Sequence, residues 1–316
     1  MLNKYLKAAG VALLSLGLLA FAGCEKKDAG KTAKVDKMTI KLATQHPVEH
    51  MAHRSAEGIK ARIEKETNGR IQVKIYPANQ LGDASQIYEE VMRGTIDSAH
   101  ITVPDQFDAR LGIGFIPYIA GDYDGVKKVF KTGTFIPTEM SKMHEKLNVK
   151  FFSYYGEGFT GVGTVKPVEN ATKLGVDKGV LIRVPGLDVW KMGVKTLGFR
   201  TSSLPYTDTY SAMQTGVVDG WAGGPPNLNY LGFRDVIKYY YQFNNNFEST
   251  QYVMNLKKFK SLSDADQKIV AAAFTDEGQH SFDMAAKEDK EFRQKLSEAG
   301  VKIIEFSKEE LAQMQD

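Results

Sequence analysis

Val180, Leu181, Ile182 and Val184 form a short apolar run with one arginine inside it, and Pro185-Gly186 ends the run. This is the pattern of a buried strand that stops at a Pro-Gly turn, which places Arg183 at the strand tip where a loop leaves for the next helix. A guanidinium offers planar paired donors that fit a carboxylate or sulfonate, and it stays charged at any working pH. Arg183 is therefore the leading candidate for binding a small organic anion. A strand-end arginine in a structural ion pair is the equal alternative from this segment alone. The aromatics Tyr154, Tyr155, Phe159, Trp190, Tyr206 and Trp221 fall in expected loops and strand ends, where they would supply apolar walls. Glu157 would accept a hydrogen bond from a ligand hydroxyl or amine, or else be a solvated loop carboxylate. Gln45 lies where the first strand ends at His46-Pro47. In Trp221-Ala-Gly-Gly224, Gly223 opens space or presents backbone N–H groups.

His46, His50 and His53 carry the competing chemistry. Spacings of four and three put imidazoles on one side of a helix start, as metal ligands require, and a zinc receptor is the alternative function they define. A periplasmic enzyme is the other alternative. The chain contains no Gly-x-Ser-x-Gly elbow, no phosphate-binding Gly-x-x-x-x-Gly-Lys loop and no His-Glu-x-x-His. We expect no catalysis, no catalytic residue and no cofactor.

The elements that must position these residues repeat. Thr39–Thr44 reads as a strand, Ala52, Ala56, Ile59 and Ile63 as a helix, and Ile71, Val73 and Ile75 as an alternating strand. Asp83 caps a helix that closes at Gly94, and Ile96–Val103 is a further strand. The order returns as Val180–Val184, a helix from Asp188, Phe199–Leu204, a helix over 207–215 and Val217–Trp221. Strand-helix-strand alternation predicts parallel α/β sheets, here in two similar lobes with ligand at the carboxyl ends of the strands. Ser263 opens a long helix towards Leu296, in which Gly278 would allow a bend. Ser307 and Glu310 form a capping box. The expected lobes are discontinuous: 38–160 with 249–288, and 161–248 with 289–316.

The 316 residues are 42% hydrophobic and 25% charged, an ordinary globular composition long enough for two domains. Lys4 and Lys7, the apolar run Val11–Ala22 and the exit Ala22-Gly23 read as a signal peptide over 1–23. Cys24, the only cysteine, follows at the cleavage point and excludes an internal disulfide. Without Lys4 and Lys7, 39 of the 41 basic residues remain against 38 acids. With no basic tract interleaved with aromatics, nucleic acid is not an expected partner. Residues 24–37 are polar and read as a flexible tether.

Five segments in order resemble one family. They are Tyr76-Pro-Ala-Asn-Gln-Leu-Gly-Asp83, Arg93-Gly-Thr-Ile-Asp97, Arg183-Val184-Pro185, Leu204-Pro205-Tyr206 and Tyr210-Ser-Ala-Met-Gln-Thr-Gly-Val-Val-Asp-Gly220. From about Lys37 to the C-terminus the chain resembles the DctP-type solute-binding subunit of tripartite ATP-independent periplasmic (TRAP) transporters. The resemblance implies a periplasmic-binding-protein-like fold, two α/β lobes around a cleft with a long helix spanning both. It further implies that Arg183 takes the ligand's carboxylate, that Tyr206 lines the pocket, and that TRAP membrane permease subunits driven by an ion gradient are the partner. Phe159-Thr160 stands where sialic-acid-type members carry a second arginine, which implies a small or flat anion. The position of Cys24 resembles a bacterial lipoprotein signal and implies a lipid anchor on the extracytoplasmic face of a membrane.

Overall fold

The computed structural model describes residues 37–314. In chain order the first half comprises β1 (Met38–Thr44), α1 (Met51–Glu66), β2 (Ile71–Tyr76), α2 (Ala84–Arg93), β3 (Ser98–Ile101), α3 (Tyr123–Val129), α4 (Phe135–Lys146), β4 (Val149–Phe159) and β5 (Gly161–Thr164). The rest comprises β6 (Leu181–Val184), α5 (Asp188–Thr196), β7 (Arg200–Ser203), α6 (Thr209–Gln214), β8 (Gly220–Gly224), α7 (Pro226–Phe233), β9 (Tyr239–Gln242), β10 (Phe247–Asn255), α8 (Leu256–Lys260), α9 (Asp264–Glu298), β11 (Lys302–Glu305) and α10 (Lys308–Gln313).

Two sheets result, ordered β2-β1-β3-β10-β4 and β11-β9-β5-β8-β6-β7. The parallel expectation holds for β1 with β2 and β3, and for β6 with β7 and β8. It fails where β10 runs antiparallel to β3 and β4, and where β5 runs antiparallel to β8 and β9. These antiparallel strands carry the chain between sheets. β4 continues through Thr160 into β5, and residues 243–246 lead from β9 back to β10. The two crossings are hydrogen-bonded to each other, Thr160 N to Asn246 O at 2.9 Å and Asn244 N to Thr160 O at 3.0 Å. Paired crossing strands of this kind are natural hinge elements.

Each sheet has apolar clusters on both faces. Ile87, Val91, Ile101 and Val149 belong to one face of the first sheet, and Ile40, Leu42, Ile59 and Tyr252 to the other. In the second sheet, Ile182, Val184 and Trp190 share one cluster and Trp221, Ile237 and Leu296 another. The 35-residue α9 is about 50 Å long at 1.5 Å per residue, long enough to reach cores of both sheets. Val270 and Phe274 pack into one cluster of the first sheet, Phe282 and Ala285 into the other, and Leu296 into the second sheet. Gly278 does not break this helix. Its missing side chain instead lets the helix lie against β4, since a Cβ there would sit 2.0 Å from Ser153 Oγ and 2.5 Å from the Tyr154 carbonyl. β8 begins at Gly220, three residues later than the sequence pattern placed it.

Candidate functional site

A cleft of about 280 Å³ opens between the sheets, where β1, β3, β6 and β8 end and β10 begins. Side-chain alternation along β6 sends Ile182 and Val184 into one core and Arg183 to the opposite face, level with Trp221 on β8. Arg183 is only 4% exposed, yet it lines the cleft. Its Nε donates to the Leu204 carbonyl at 2.9 Å, and the guanidinium lies 6.0 Å from the Tyr206 ring centroid. Among the described residues it has no carboxylate partner, so the structural ion pair is not formed. Burial pulls its pKa down to about 10, partly opposed by the negative potential of Tyr206, Glu248 and Asp208. It remains a cation at neutral pH.

Supporting side chains fix this wall. Tyr206 packs against Trp221 and Phe233, with ring centroids 6.0 and 5.9 Å apart. Trp221 Nε1 donates to Asn229 Oδ1 at 2.9 Å, and Asn229 Nδ2 donates to the Gly224 carbonyl at 2.9 Å. Gly223 has φ 135°, a conformation that favours glycine, and a Cβ there would stand 3.7 Å from Arg183 Nη1. The absent side chain keeps the approach to the guanidinium open.

Of the residues singled out in the sequence, Gln45, Arg183, Tyr206, Trp221 and Gly223 line the cleft. Tyr155, Glu157 and Phe159 do not, because β4 extends through all three and is buried along this stretch. Tyr155 packs edge-on to His100 and Tyr252, and Phe159 lies between Tyr123 and Phe247. Trp190 and Tyr154 are likewise core residues. Cys24 lies outside the described residues.

Glu157 is neither a ligand contact nor a solvated loop group; it is the centre of a buried network. His46 Nε2 and Thr250 Oγ1 each lie 2.8 Å from its Oε1, and His100 Nε2 lies 2.8 Å from Thr250 Oγ1. His46 stacks on His50 at 4.7 Å between centroids. His50 Nδ1 caps α1 by accepting from Ala52 N, which leaves its Nε2 hydrogen facing Glu157 Oε2 at 3.9 Å. The histidine triad expected from the sequence is thus not assembled: His53 turns away towards Glu57, 3.8 Å distant. His46, His100 and Glu157 do bring donor atoms within 4.8 Å of one another. They are buried and absent from the cleft lining, so a solute held in the cleft does not touch this cluster.

Glu248, Thr102, Asp83 and Asn79 also line the cleft and were not among the expected site residues, Asp83 reading in the sequence as a helix cap. Glu248 sits at the start of β10, opposite Gly158 in the register. Thr102 Oγ1 donates to Glu248 Oε1 at 3.0 Å, and Gln45 brackets Thr102 through Thr102 N to Oε1 (2.8 Å) and Nε2 to Oγ1 (3.1 Å). Burial, reinforced by the charge of Glu157, holds the Glu248 carboxyl well above the ordinary range, with Thr102 and Arg183 opposing. The one cue to Thr102 was its place at the end of an expected strand.

Comparisons with known proteins agree with this geometry. Residues 42–316 match the model of the family described as bacterial extracellular solute-binding protein, family 7. The chain is similar to a TRAP periplasmic solute-binding protein from Haemophilus influenzae whose crystal structure holds L-gulonate: 26% identity, TM-score 0.80, 88% of this chain and 91% of that one covered. It is 23% identical to the C4-dicarboxylate-binding periplasmic protein DctP of Rhodobacter capsulatus over 79% of this chain and 74% of that protein. It is also 23% identical to the sialic acid-binding periplasmic protein SiaP of Vibrio cholerae over 74% and 73%. The fold is the two-lobed, periplasmic-binding-protein-like one expected from the sequence. With the family model spanning both sheets and every residue of the cleft wall, the chain belongs to family 7 of the bacterial extracellular solute-binding proteins.

Proposed function

We propose that the protein captures one small organic anion, a carboxylate or a sulfonate, in the cleft and delivers it to the membrane subunits of an ion-gradient-driven TRAP transporter. The observation that carries this reading is the Arg183 guanidinium, a buried cation on the cleft wall with no carboxylate partner among the described residues. Desolvating a charge without pairing it is costly, and an anionic ligand supplies the missing partner. The relatives' ligands, L-gulonate and C4-dicarboxylates among them, support the same chemical class. A cleft near the lower end of the usual ~300–1,000 Å³ for small-ligand pockets favours a compact molecule. The protein acts as a receptor without turnover. The lobes, 38–160 with 249–288 and 161–248 with 289–316, close by rotation about the crossing strands; Phe247 and Glu248, although inside the second lobe's bounds, pair with β4 and travel with the first sheet. A thermal-shift screen over carboxylates and sulfonates, followed by titration calorimetry of each hit, tests the reading, and zinc belongs in the same screen. Stabilisation by at least one organic anion is expected; stabilisation by zinc alone would overturn it.

We further propose that the signal peptide 1–23 is removed and that acylation of Cys24 tethers the protein to the outer face of a membrane through residues 24–37. The motif at Ala22-Gly23-Cys24 supports this. No described helix is long and apolar enough to cross a membrane. A fatty-acid probe should label the wild type and not Cys24→Ser; an unlabelled wild type would replace the anchored form with a diffusing periplasmic one.

A further inference from the structure

Three charged side chains line the cleft: Arg183, Asp83 and Glu248. Asp83 is committed to its own helix, its Oδ1 accepting from Ser85 N at 2.8 Å and Gln86 N at 3.0 Å as the cap of α2. The other two are not. Arg183 and Glu248 are each 4% exposed, and neither forms an ion pair among the described residues. A desolvated cation and a desolvated carboxyl group therefore face one small volume from opposite sheets, neither of them in an ion pair among those residues.

We infer that the ligand is a zwitterion, a small amino acid or aminosulfonate whose anionic end is held by Arg183 and whose cationic nitrogen is held by Glu248. This rests on the anion-receptor reading above and narrows it. A simple monoanion would satisfy Arg183 and leave Glu248 protonated and without a charged partner, while a dianion would meet no second cation among the residues that line the cleft. A ligand with both signs satisfies both walls at once.

The hydrogen bonds around Glu248 fit that role. The Thr102 hydroxyl has a single proton. Because it accepts from Gln45 Nε2, that proton points at Glu248 Oε1, which is thereby fixed as an acceptor. The second carboxyl oxygen has no donor among the described residues and belongs to a residue lining the cleft. Glu248 is thus oriented by β3 and by Gln45 with one oxygen left for a ligand donor. Burial and the neighbouring Glu157 on β4 favour its protonated form, while Arg183 on β6 opposes this. Arrival of a cationic nitrogen reverses that balance, and the carboxyl proton passes to buffer. A hydroxy acid leaves the proton in place.

The test uses the full mature chain and matched ligands: proteinogenic amino acids, 4-aminobutyrate and taurine against the corresponding hydroxy acids and isethionate. Calorimetry is run in two buffers of different ionisation enthalpy, on wild type and on Glu248→Gln. The expected result is an amino member binding at least about tenfold tighter than its hydroxy partner, with proton release. Glu248→Gln should reduce that ratio by about tenfold or more. The ratio within one variant is insensitive to loss of folded protein. Hydroxy members binding as tightly as amino members, or an acid without nitrogen as the tightest ligand, would overturn the zwitterion and leave the anion receptor standing. Failure of every anionic ligand would overturn both.

Discussion

Arg183→Ala should lose about 2–5 kcal/mol of ligand binding, roughly 30- to 5,000-fold in affinity, while the protein stays folded. The expectation follows from where the guanidinium sits. It is desolvated, held by a single bond from Nε to the Leu204 carbonyl, and lies beside Tyr206 and the open space over Gly223. Removing it leaves the ligand's anion buried without a partner, and the loss is large because of that unpaired charge. Arg183→Lys should also weaken binding, because an ammonium cannot reproduce the paired donors of the fork. Arg200 and Arg234 are exposed, the former 3.8 Å from Asp177 and the latter bonded to the Tyr230 carbonyl, so alanine at either position should leave affinity within about threefold. Calorimetry with circular dichroism on each variant decides it. A folded Arg183→Ala protein that binds within about threefold of wild type would make this residue structural.

Unfolding free energy should fall by about 1.4 kcal/mol per pH unit between pH 6.5 and 4.5, where three histidine protons are offset by two carboxyl protons, and by about 3 kcal/mol per unit below 4.5. His50 is pulled down to about 3 by burial and by His46, against the opposing pull of Glu157. His144 is pulled to about 4 by burial, with the Gln251 hydrogen bond opposing, and His100 lies well below its ordinary value through burial and the neighbouring His46 and His50. For these groups the folded pKa is depressed. Their stabilisation is complete above the unfolded value of about 6.5, and it is lost as pH falls and the unfolded chain alone takes up protons.

Glu248, held well above the carboxylate range by burial first, and Glu288, raised to about 7 chiefly by burial, act the other way down to about pH 4.5. There the folded state holds protons that the unfolded state lacks, which offsets much of the histidine loss. Below 4.5 both states hold those carboxyl protons, and the offset ends. Two or more histidines taking up protons only on unfolding give about 3 kcal/mol per unit, at about 1.4 kcal/mol for each proton. Urea titrations monitored by circular dichroism between pH 7 and 3.5 measure this directly. Glu248→Gln removes one offsetting proton and should steepen the upper window by about 1.4 kcal/mol per unit. Stability that stays flat to pH 3.5 would mean the histidines are solvated.

The sequence carried the parallel half of each sheet because β1, β2, β6 and the helices between them keep regular periods and marked ends such as Asp83, Gly94 and Pro185. It did not carry β4 and β10. Nearly every residue of these strands is buried, so no alternation marks them, and Tyr155, Glu157 and Phe159 read as loop residues instead. The antiparallel direction of β10 was hidden for the same reason, and it is that direction which brings the start of β10 to the cleft. Glu248 therefore meets Arg183 through a crossing that no local pattern announces. The histidine spacing pointed to a real cluster with one wrong member: the turn that precedes α1, closed by His50 N to Pro47 O, brings His46 and His50 together, whereas the helix carries His53 to another face. His100 joins them only because β3 pairs beside β1.

The most direct measurement is a crystal structure of the protein with the tightest anionic ligand from the screen. The account predicts the ligand in the cleft with carboxylate or sulfonate oxygens about 2.7–2.9 Å from Nη1 and Nη2 of Arg183. A ligand bound elsewhere, or one that leaves the Arg183 guanidinium without an anionic partner, would contradict it.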